Sequence, residues 1–479
     1  MAKPAGRKIY WIAWGLLSVT IAGYLSLGLF SKRAATHPLL APARLAFLPG
    51  PTSHGHYQIE LACESCHTTP FGGREGLQAS CERCHGQELK DAVDKHPRSK
   101  FTDPRNAELA EKIDATLCVT CHVEHRPGIT RTMGVTQAGD FCFHCHQDIA
   151  RDRPSHQGMA FDTCGSAGCH KFHDNRALYE DFLARHLGEP ATLGRASLPG
   201  RNFRAVAADF PGYPADRFPL KAVTAPDAPA HLLQPPHVDD WLATAHARSG
   251  VNCSGCHRAE QDDAAAWVRR PDHKACAGCH PPETRGFLAG KHGMRLAEGL
   301  PPMTPGRARQ PMQAAARHAQ LSCTSCHGAH RFDTRKAAVE ACAGCHRDEH
   351  STAYQRSPHH ALWKKEIAGE APAGSGVSCA SCHLPREEYR EPGLDARRIA
   401  VQHNQNDTLR PSEKMLRPVC MNCHGLSFAI DALADRALVQ SNFAGKPAVQ
   451  VKSMNMVEQR LQALQQARQG EAGIHAKPN

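Results

Sequence analysis

The sequence has little of the material that usually fills the interior of a large protein. Only 6% of its 479 residues are aromatic, and its mean hydropathy is negative. A chain of this composition makes only a thin core from its own side chains. Long apolar runs are also scarce, since only residues 9–30 form one without a charge, and this excludes a protein with many membrane spans.

No cysteine is left over once one motif has been recognised. Ten Cys-x-x-Cys-His sequences and one Cys-x4-Cys-His sequence use all 22 cysteines in pairs, so none remains for a disulfide or a nucleophile. We number these motifs 1 to 11 in chain order. Their cysteines are Cys63 and Cys66, Cys81 and Cys84, Cys118 and Cys121, Cys142 and Cys145, Cys164 and Cys169, Cys253 and Cys256, Cys276 and Cys279, Cys323 and Cys326, Cys342 and Cys345, Cys379 and Cys382, and Cys420 and Cys423, and their histidines are His67, His85, His122, His146, His170, His257, His280, His327, His346, His383 and His424.

The spacing of the motif indicates covalent haem attachment. Two thiols three positions apart can each form a thioether to one edge of a haem, and the adjacent histidine then reaches the iron as the proximal ligand. The alternative for the ten regular motifs is a set of zinc knuckles, which the histidine after every second cysteine argues against. For motif 5, with four residues between its cysteines, the alternative is a plain disulfide. The longer spacer resembles a variant found in small tetrahaem cytochromes, so we expect eleven c-type haems.

Eleven haems leave about 44 residues for each, so the porphyrins must serve as the core. We therefore predict a mostly α fold with little regular secondary structure, a haem-stacked core and one N-terminal transmembrane helix. The formal net charge is +10. Each haem adds about two propionate charges, partly offset by ferric iron, so the charge does not indicate a nucleic-acid partner.

One sequence segment that begins with a haem-attachment motif occurs twice, at residues 276–292 and 342–359. Each copy begins with a motif and ends on a histidine five residues after an aromatic, Phe287 before His292 and Tyr354 before His359. These two histidines are natural distal ligands. Beyond the motifs the chain has 21 further histidines for eleven distal positions. The candidates are His54, His56, His96, His125, His156, His173, His186, His246, His273, His292, His318, His330, His350, His359 and His403.

Three candidates, His125, His173 and His330, stand three residues after a motif histidine. In a helix this offset places both rings on one side, so one turn would serve two neighbouring haems. The alternative is a solvent-exposed histidine at each position. His403 is the only additional histidine between motifs 10 and 11, and it is expected to ligate one of these haems or a neighbour.

Residues 9–30 are long enough to cross a bilayer, and a cleaved signal peptide is the alternative. Lys3, Arg7 and Lys8 precede the run, which favours a cytoplasmic N-terminus. Haem attachment occurs outside the bacterial cytoplasmic membrane, so we expect a single-pass inner-membrane protein with periplasmic haem domains. The predicted organisation is residues 1–8 in the cytoplasm, 9–30 as anchor, 31–53 as tether, 54–186 as a five-haem domain, 187–236 as a Pro-rich linker, 237–438 as a six-haem domain and 439–479 as a C-terminal helix and tail.

The first half of the exported chain, as in Cys118 to Arg126, resembles cytochrome c3-type haem clusters. The second half resembles the family of hydroxylamine oxidoreductase and cytochrome c nitrite reductase (cytochrome c552/c554). The carriers of that resemblance are the spacing from His246 to Cys253, the two aromatic-to-histidine endings and the sequence from Pro418 to His424. The second resemblance implies catalysis at one open iron, often marked by lysine in place of the motif histidine. All eleven motifs keep histidine, and Tyr354 and Tyr389 are the only tyrosines in this half.

Three functions are consistent with the sequence. The first is electron carriage in the periplasm between a membrane quinol-oxidising partner and periplasmic acceptors. The second is an oxidoreductase acting on a small nitrogen or sulfur compound at one open haem, and the third is a quinol dehydrogenase. The supply of histidines favours the first, because an electron carrier needs every iron closed by two ligands.

Overall fold

The computed structural model describes residues 5–31, 34, 36–69, 72–126, 141–153, 156–157, 172–173, 178, 180–194, 220–258, 267–390, 397–409 and 412–475. These residues form short helices joined by long irregular segments, with few strands, as the sequence predicts for a haem-rich helical fold. The chain divides into two compact units, residues 1–177 with Arg295–Pro301, and residues 178–294 with 302–479. Helix Glu180–His186, placed from sequence with the five-haem segment, packs in the second unit.

The first unit begins with a helix of 26 residues, Ala5–Phe30, four residues longer at its N-terminal end than the predicted span. Its apolar side chains are exposed, with Tyr10 at 78%, and it is long and apolar enough to cross a membrane. The other α-helices of this unit are Ala41–Leu45, Arg74–Asp91, Arg98–Thr102, Ala107–Lys112, Cys118–Cys121, Ile149–Asp152 and most of Met294–Ala297, and its 3-10 helices are Cys63–Ser65, Pro104–Asn106 and Phe141–His144.

Among the described residues, the second unit contains the other helices and one antiparallel hairpin. Strands Arg386–Arg390 and Arg397–Val401 pair with Arg386 opposite Val401, an element that the sequence did not predict. Its α-helices are Glu180–His186, Pro235–Leu242, Ala245–Arg248, Cys253–His257, Lys274–Ala277, Pro281–Ala289, Cys323–His327, Thr334–Ala338, Glu340–Ala343, Glu349–Ala353, Pro358–Ile367, Cys379–His383, Asn406–Leu409, Leu426–Ala434, Arg436–Gln440 and Lys452–His475, and its 3-10 helices are Ala230–Leu232, Pro305–Arg307, Ala314–Ala316, Tyr354–Arg356, Ser412–Met415 and Cys420–Asn422.

Large apolar side chains are rarely enclosed. Of the side chains that the structure describes, the largest with less than 2% exposure are Leu426, Thr408 and Pro385. A small side-chain core surrounds Leu426, where Ile430, Leu433 and Leu438 are also buried. Elsewhere the cysteines of the described motifs are half-buried or exposed, so side chains alone do not enclose them.

Candidate functional site

Most of the described motifs lie in short helical turns, and the turns of motifs 6, 8 and 10 begin at a capping residue. Asn252 accepts a hydrogen bond from the backbone of Cys253 at 2.8 Å. Ser378 and Ser381 form a reciprocal capping box at the start of motif 10, with both bonds at 3.1 Å. The capped turn places the two cysteines of a motif on neighbouring positions of one helix. In the described motifs none of these cysteines forms a disulfide, so their sulfur atoms remain available for thioethers.

Eight motif histidines each face another histidine. All eight of these partner histidines are among the distal candidates. The separations of the ring centroids fall between 5.9 and 6.3 Å. The pairs are His85 with His56, His146 with His96, His257 with His330, His280 with His246, His346 with His292, His327 with His403, His383 with His350, and His424 with His359.

This separation fits a haem iron between the two rings. An iron about 2 Å from one nitrogen of each ring would hold the two centroids roughly 6 Å apart. Burial lowers the pKa of His292, His359 and His383 to about 4 each, with neighbouring histidines adding to the effect. These rings are therefore neutral at pH 7, the form in which imidazole binds a metal. Haem c thus fits the residues present.

The second ring nitrogen of several paired histidines is held by a hydrogen bond. Nδ1 of His96 donates to the carbonyl of Phe172 at 2.7 Å, and Nδ1 of His424 donates to that of Ala191 at 2.8 Å. Nδ1 of His403 similarly donates to Val401. Such bonds fix the orientation of a ligating ring and leave Nε2 for the metal.

Three paired histidines depart from this pattern. Among the described residues, the buried Nδ1 atoms of His246 and His383 have no hydrogen-bond partner. His350 has Nδ1 against the carbonyl of Val439, but its Nε2 also accepts a hydrogen bond from Asn442 Nδ2 at 3.1 Å. Iron at His350 would take the place of that bond.

Glu124 holds the ring of His56 and was not predicted from the sequence. Its Oε1 lies 2.8 Å from Nδ1 of His56, and the same carboxylate accepts from the backbone of Ser53. Burial alone would raise the pKa of Glu124, but the hydrogen bonds from His56 and Ser53 outweigh burial and hold the pKa at about 2. A carboxylate behind a ligating histidine makes the ring a stronger donor to the metal. The signal in the sequence is the acidic residue between the two histidines of His122-Val-Glu-His125.

The remaining candidates occupy varied places. Nδ1 of His125 lies 2.9 Å from the carbonyl of Gly50, and Nδ1 of His173 lies 3.2 Å from Asp94. Nδ1 of His186 contacts Glu189 at 2.6 Å. His54 packs against Tyr57, His273 precedes helix Lys274–Ala277, His318 is exposed, and the backbone N–H of His156 donates to the carbonyl of Arg153. Motif 5 lies outside the described residues.

Helix geometry does not place the rings of His327 and His330 on one side. Helix Cys323–His327 ends at the motif, and Gly328 and His330 both have positive φ, 70° and 65°. The left-handed turn sends the two rings in different directions, so that His327 faces His403 while His330 faces His257. This short segment therefore contributes to two histidine pairs. A further histidine, His237, stacks on His330 at 4.4 Å.

Consecutive sites lie beside one another. In the second unit the thiols of Cys276 and Cys323 lie close to each other, as do those of Cys342 and Cys379. Between these pairs the cysteines of motifs 6 and 7, 8 and 9, and 10 and 11 are close enough for their charges to interact. In the first unit the thiols of Cys81 in motif 2 and Cys118 in motif 3 lie close to each other, and so do cysteines of motifs 1 and 2. The sites of the second unit therefore follow one another in chain order.

Residues 55–147 match the family model of cytochrome c3. The match covers motifs 1 to 4, which contain two of the eight histidine pairs. It agrees with the predicted resemblance of the first half to cytochrome c3-type clusters. The protein is therefore a multihaem c-type cytochrome with an electron-transfer role, and haem c is its cofactor.

Proposed function

We propose that this protein is an undecahaem cytochrome, anchored in the bacterial inner membrane, that carries electrons through the periplasm. Its donor would be a membrane partner that oxidises quinol, and its acceptors would be periplasmic redox proteins. The observation that carries the proposal is the set of eight facing histidine pairs. An iron held by two histidines exchanges electrons without making or breaking bonds and leaves no position for a substrate.

The succession of sites in the second unit supports a conducting role. Because each of motifs 6 to 11 lies beside the next one in the chain, haems attached to them would form one continuous row. Haem supplies the redox chemistry. The chain's own residues attach the edges of the haems through cysteines, close both faces of the irons with histidines and keep adjacent sites close.

The first unit offers a point of entry near the membrane. The buried guanidinium of Arg44 donates to the carbonyls of Gly28 and Ser31, at the end of the apolar helix, with distances of 3.1 and 3.0 Å. Its Nη1 also lies 2.7 Å from Glu64, which stands between the two cysteines of motif 1. Arg44 thus ties the predicted anchor directly to site 1, and we propose site 1 as the haem that receives electrons from the membrane partner.

Two measurements on the detergent-solubilised holoprotein test this function. Intact mass and a pyridine haemochrome assay should count eleven haems, and a count of ten would mean that motif 5 does not bind one. The dithionite-reduced protein should bind almost no carbon monoxide and should not turn over nitrite or hydroxylamine with reduced viologen. Fewer than ten haems, or stoichiometric carbon monoxide binding at one haem together with turnover, would overturn the proposal.

The alternative oxidoreductase function would need an open iron in the second half, where the resemblance to hydroxylamine oxidoreductase and nitrite reductase was placed. All six motif histidines there face another histidine. Tyr354, the tyrosine of the ligand-loop ending, is buried and donates its hydroxyl to the carbonyl of Val377 at 2.8 Å. These contacts support electron carriage over catalysis in that half.

A further inference from the structure

The histidines and motifs follow the same order in the two halves of the exported chain. In the second half, five histidines face motifs 6 to 10, one histidine to each motif. Numbering the five motifs of the group from first to fifth, His246 faces the second, His292 the fourth, His330 the first, His350 the fifth and His403 the third.

The first half contains five histidines at the same places in the order. They are His56 before the first two motifs, His96 after the second, His125 after the third, His156 after the fourth and His173 after the fifth. His56 stands seven residues before Cys63, and His246 stands seven residues before Cys253. His359 and motif 11, which face each other, have no counterpart in the first half.

Two pairings in the first half follow the order of the second. His56 faces the second motif at 6.0 Å, as His246 does at 6.1 Å. His96 faces the fourth motif at 6.1 Å, as His292 does at 6.2 Å.

Neighbouring contacts repeat as well. The thiols of the second and third motifs lie close to each other in both halves, Cys81 beside Cys118 and Cys276 beside Cys323. His173 is the counterpart of His403, which faces the third motif of its own group.

We infer that the same order of five distal ligands occurs in both halves of the chain. This order assigns His125 to the haem of motif 1 as its distal ligand. This inference rests on the proposed function, in which the facing histidines hold haem iron. His330, the counterpart of His125, faces the first motif of its group. Both residues stand three positions after the histidine of the third motif, and both have a left-handed backbone, with φ of 61° and 65°.

The local contacts of His125 suit this role. Its Nδ1 is held by the carbonyl of Gly50, which leaves Nε2 for the metal. The competing candidate, His54, lies closer in sequence to motif 1 and packs its ring against Tyr57 at 5.7 Å. The position in the second half that corresponds to His54 is Thr244, which caps helix Ala245–Arg248 and cannot serve as such a ligand. The repeated order therefore selects His125 over His54.

Variants of the holoprotein separate the two candidates. H125A should keep its full number of haems, gain one equivalent of high-spin haem in its electron paramagnetic resonance spectrum and bind one equivalent of carbon monoxide after reduction. H330A should do the same for the first motif of the second half, and H54A should remain low-spin. If H54A becomes high-spin while H125A does not, the assignment is wrong.

A methionine at position 125 guards against a variant that fails to fold. H125M should keep that haem six-coordinate and raise its reduction potential, because methionine in place of histidine raises the potential of a haem. A fully loaded H125A protein that remains entirely low-spin, with H125M unchanged in potential, would overturn the repeated order while leaving electron carriage intact. A wild-type protein with too few haems, or with an iron that already binds carbon monoxide, would instead overturn the proposed function.

Discussion

The two units place a histidine opposite the second motif of each group, but they surround it differently. In the first unit His56 has the carboxylate of Glu124 at 2.8 Å from its Nδ1. In the second unit Nδ1 of His246 is buried without a partner in the described residues, and the ring of Phe332 packs against it at 4.5 Å. Ala329 occupies the position that corresponds to Glu124.

This difference indicates that one set of residues determines which histidine faces which motif, and another set determines how strongly that histidine donates to iron. The motifs and their facing histidines decide which iron is closed by which ring. A half-buried carboxylate behind one ring stabilises the ferric state, whereas an apolar neighbour does not. We therefore expect the haem of motif 2 to have a lower reduction potential than the haem of motif 7.

The largest expected effect is the loss of either facing histidine. H56A and H246A should each keep all haems attached through their cysteines but should each convert one haem to a high-spin form that binds carbon monoxide. Resonance Raman spectra of the ferric proteins would measure this. Equal effects would show that ligation is the same in both units, and a wholly low-spin spectrum in either variant would contradict the pairing at that site.

A smaller effect is expected from exchanging the carboxylate. Glu124→Gln keeps the size of the side chain but removes the charge, so the haem of motif 2 should become easier to reduce, by roughly 60 mV, a tenfold change for one electron. Ala329→Glu should lower the potential of the haem of motif 7 if the two positions are equivalent. Redox titration followed by paramagnetic resonance would resolve both. Shifts of the same sign in the two variants would contradict the contrast between the units.

Much of this arrangement was predictable because the motif carries both the cofactor and its first ligand. The candidate list contained every histidine that faces a motif, including His292 and His359, which face motifs 9 and 11 at nearly the same separation. Which histidine serves which motif was not predictable, since His403 reaches motif 8 across a long stretch of chain.

Other features depend on contacts between distant segments. Glu124 meets His56 across 68 residues, and the hairpin joins two short strands without a strong alternating pattern. The left-handed turn at His330 separates two rings that a helix would have placed on one side. The helix of residues 9–30 was predictable from local composition alone, because an apolar run of that length has few other structures available to it.

The apolar helix Ala5–Phe30 belongs to the first unit alone, and loosening its contacts should act on that unit alone. Arg44→Ala removes a buried cation from the carbonyls of Gly28 and Ser31 and from Glu64, at a cost of about 2 kcal/mol in local stability. Limited proteolysis between the apolar helix and motif 1 should then be faster, while the haem spectra stay unchanged. Arg74→Ala, which breaks an exposed pair with Asp114, is the matched control and should change neither. Equal cleavage of the two variants would mean that Arg44 does not hold the apolar helix to motif 1.

The smallest expected effect comes from adding one methyl group to a helical glycine in each unit. A Cβ at Gly286 would lie 2.7 Å from Oε1 of Gln402 and 3.0 Å from the backbone nitrogen of His403. Helix Pro281–Ala289 therefore relies on Gly286 to approach the loop that carries His403. G286A should cost about 1 kcal/mol and lower the Tm by roughly 2 °C.

The matched substitution in the first unit is G86A, because a Cβ at Gly86, within helix Arg74–Asp91, meets no protein atom within 4 Å. G86A should raise the stability by about 0.5 kcal/mol, since alanine restricts the unfolded chain more than glycine does. G286A should also alter the paramagnetic resonance of one low-spin haem by moving His403 relative to His327, whereas G86A should not. A spectrum of G286A identical to that of the wild type would mean that the helix does not position His403.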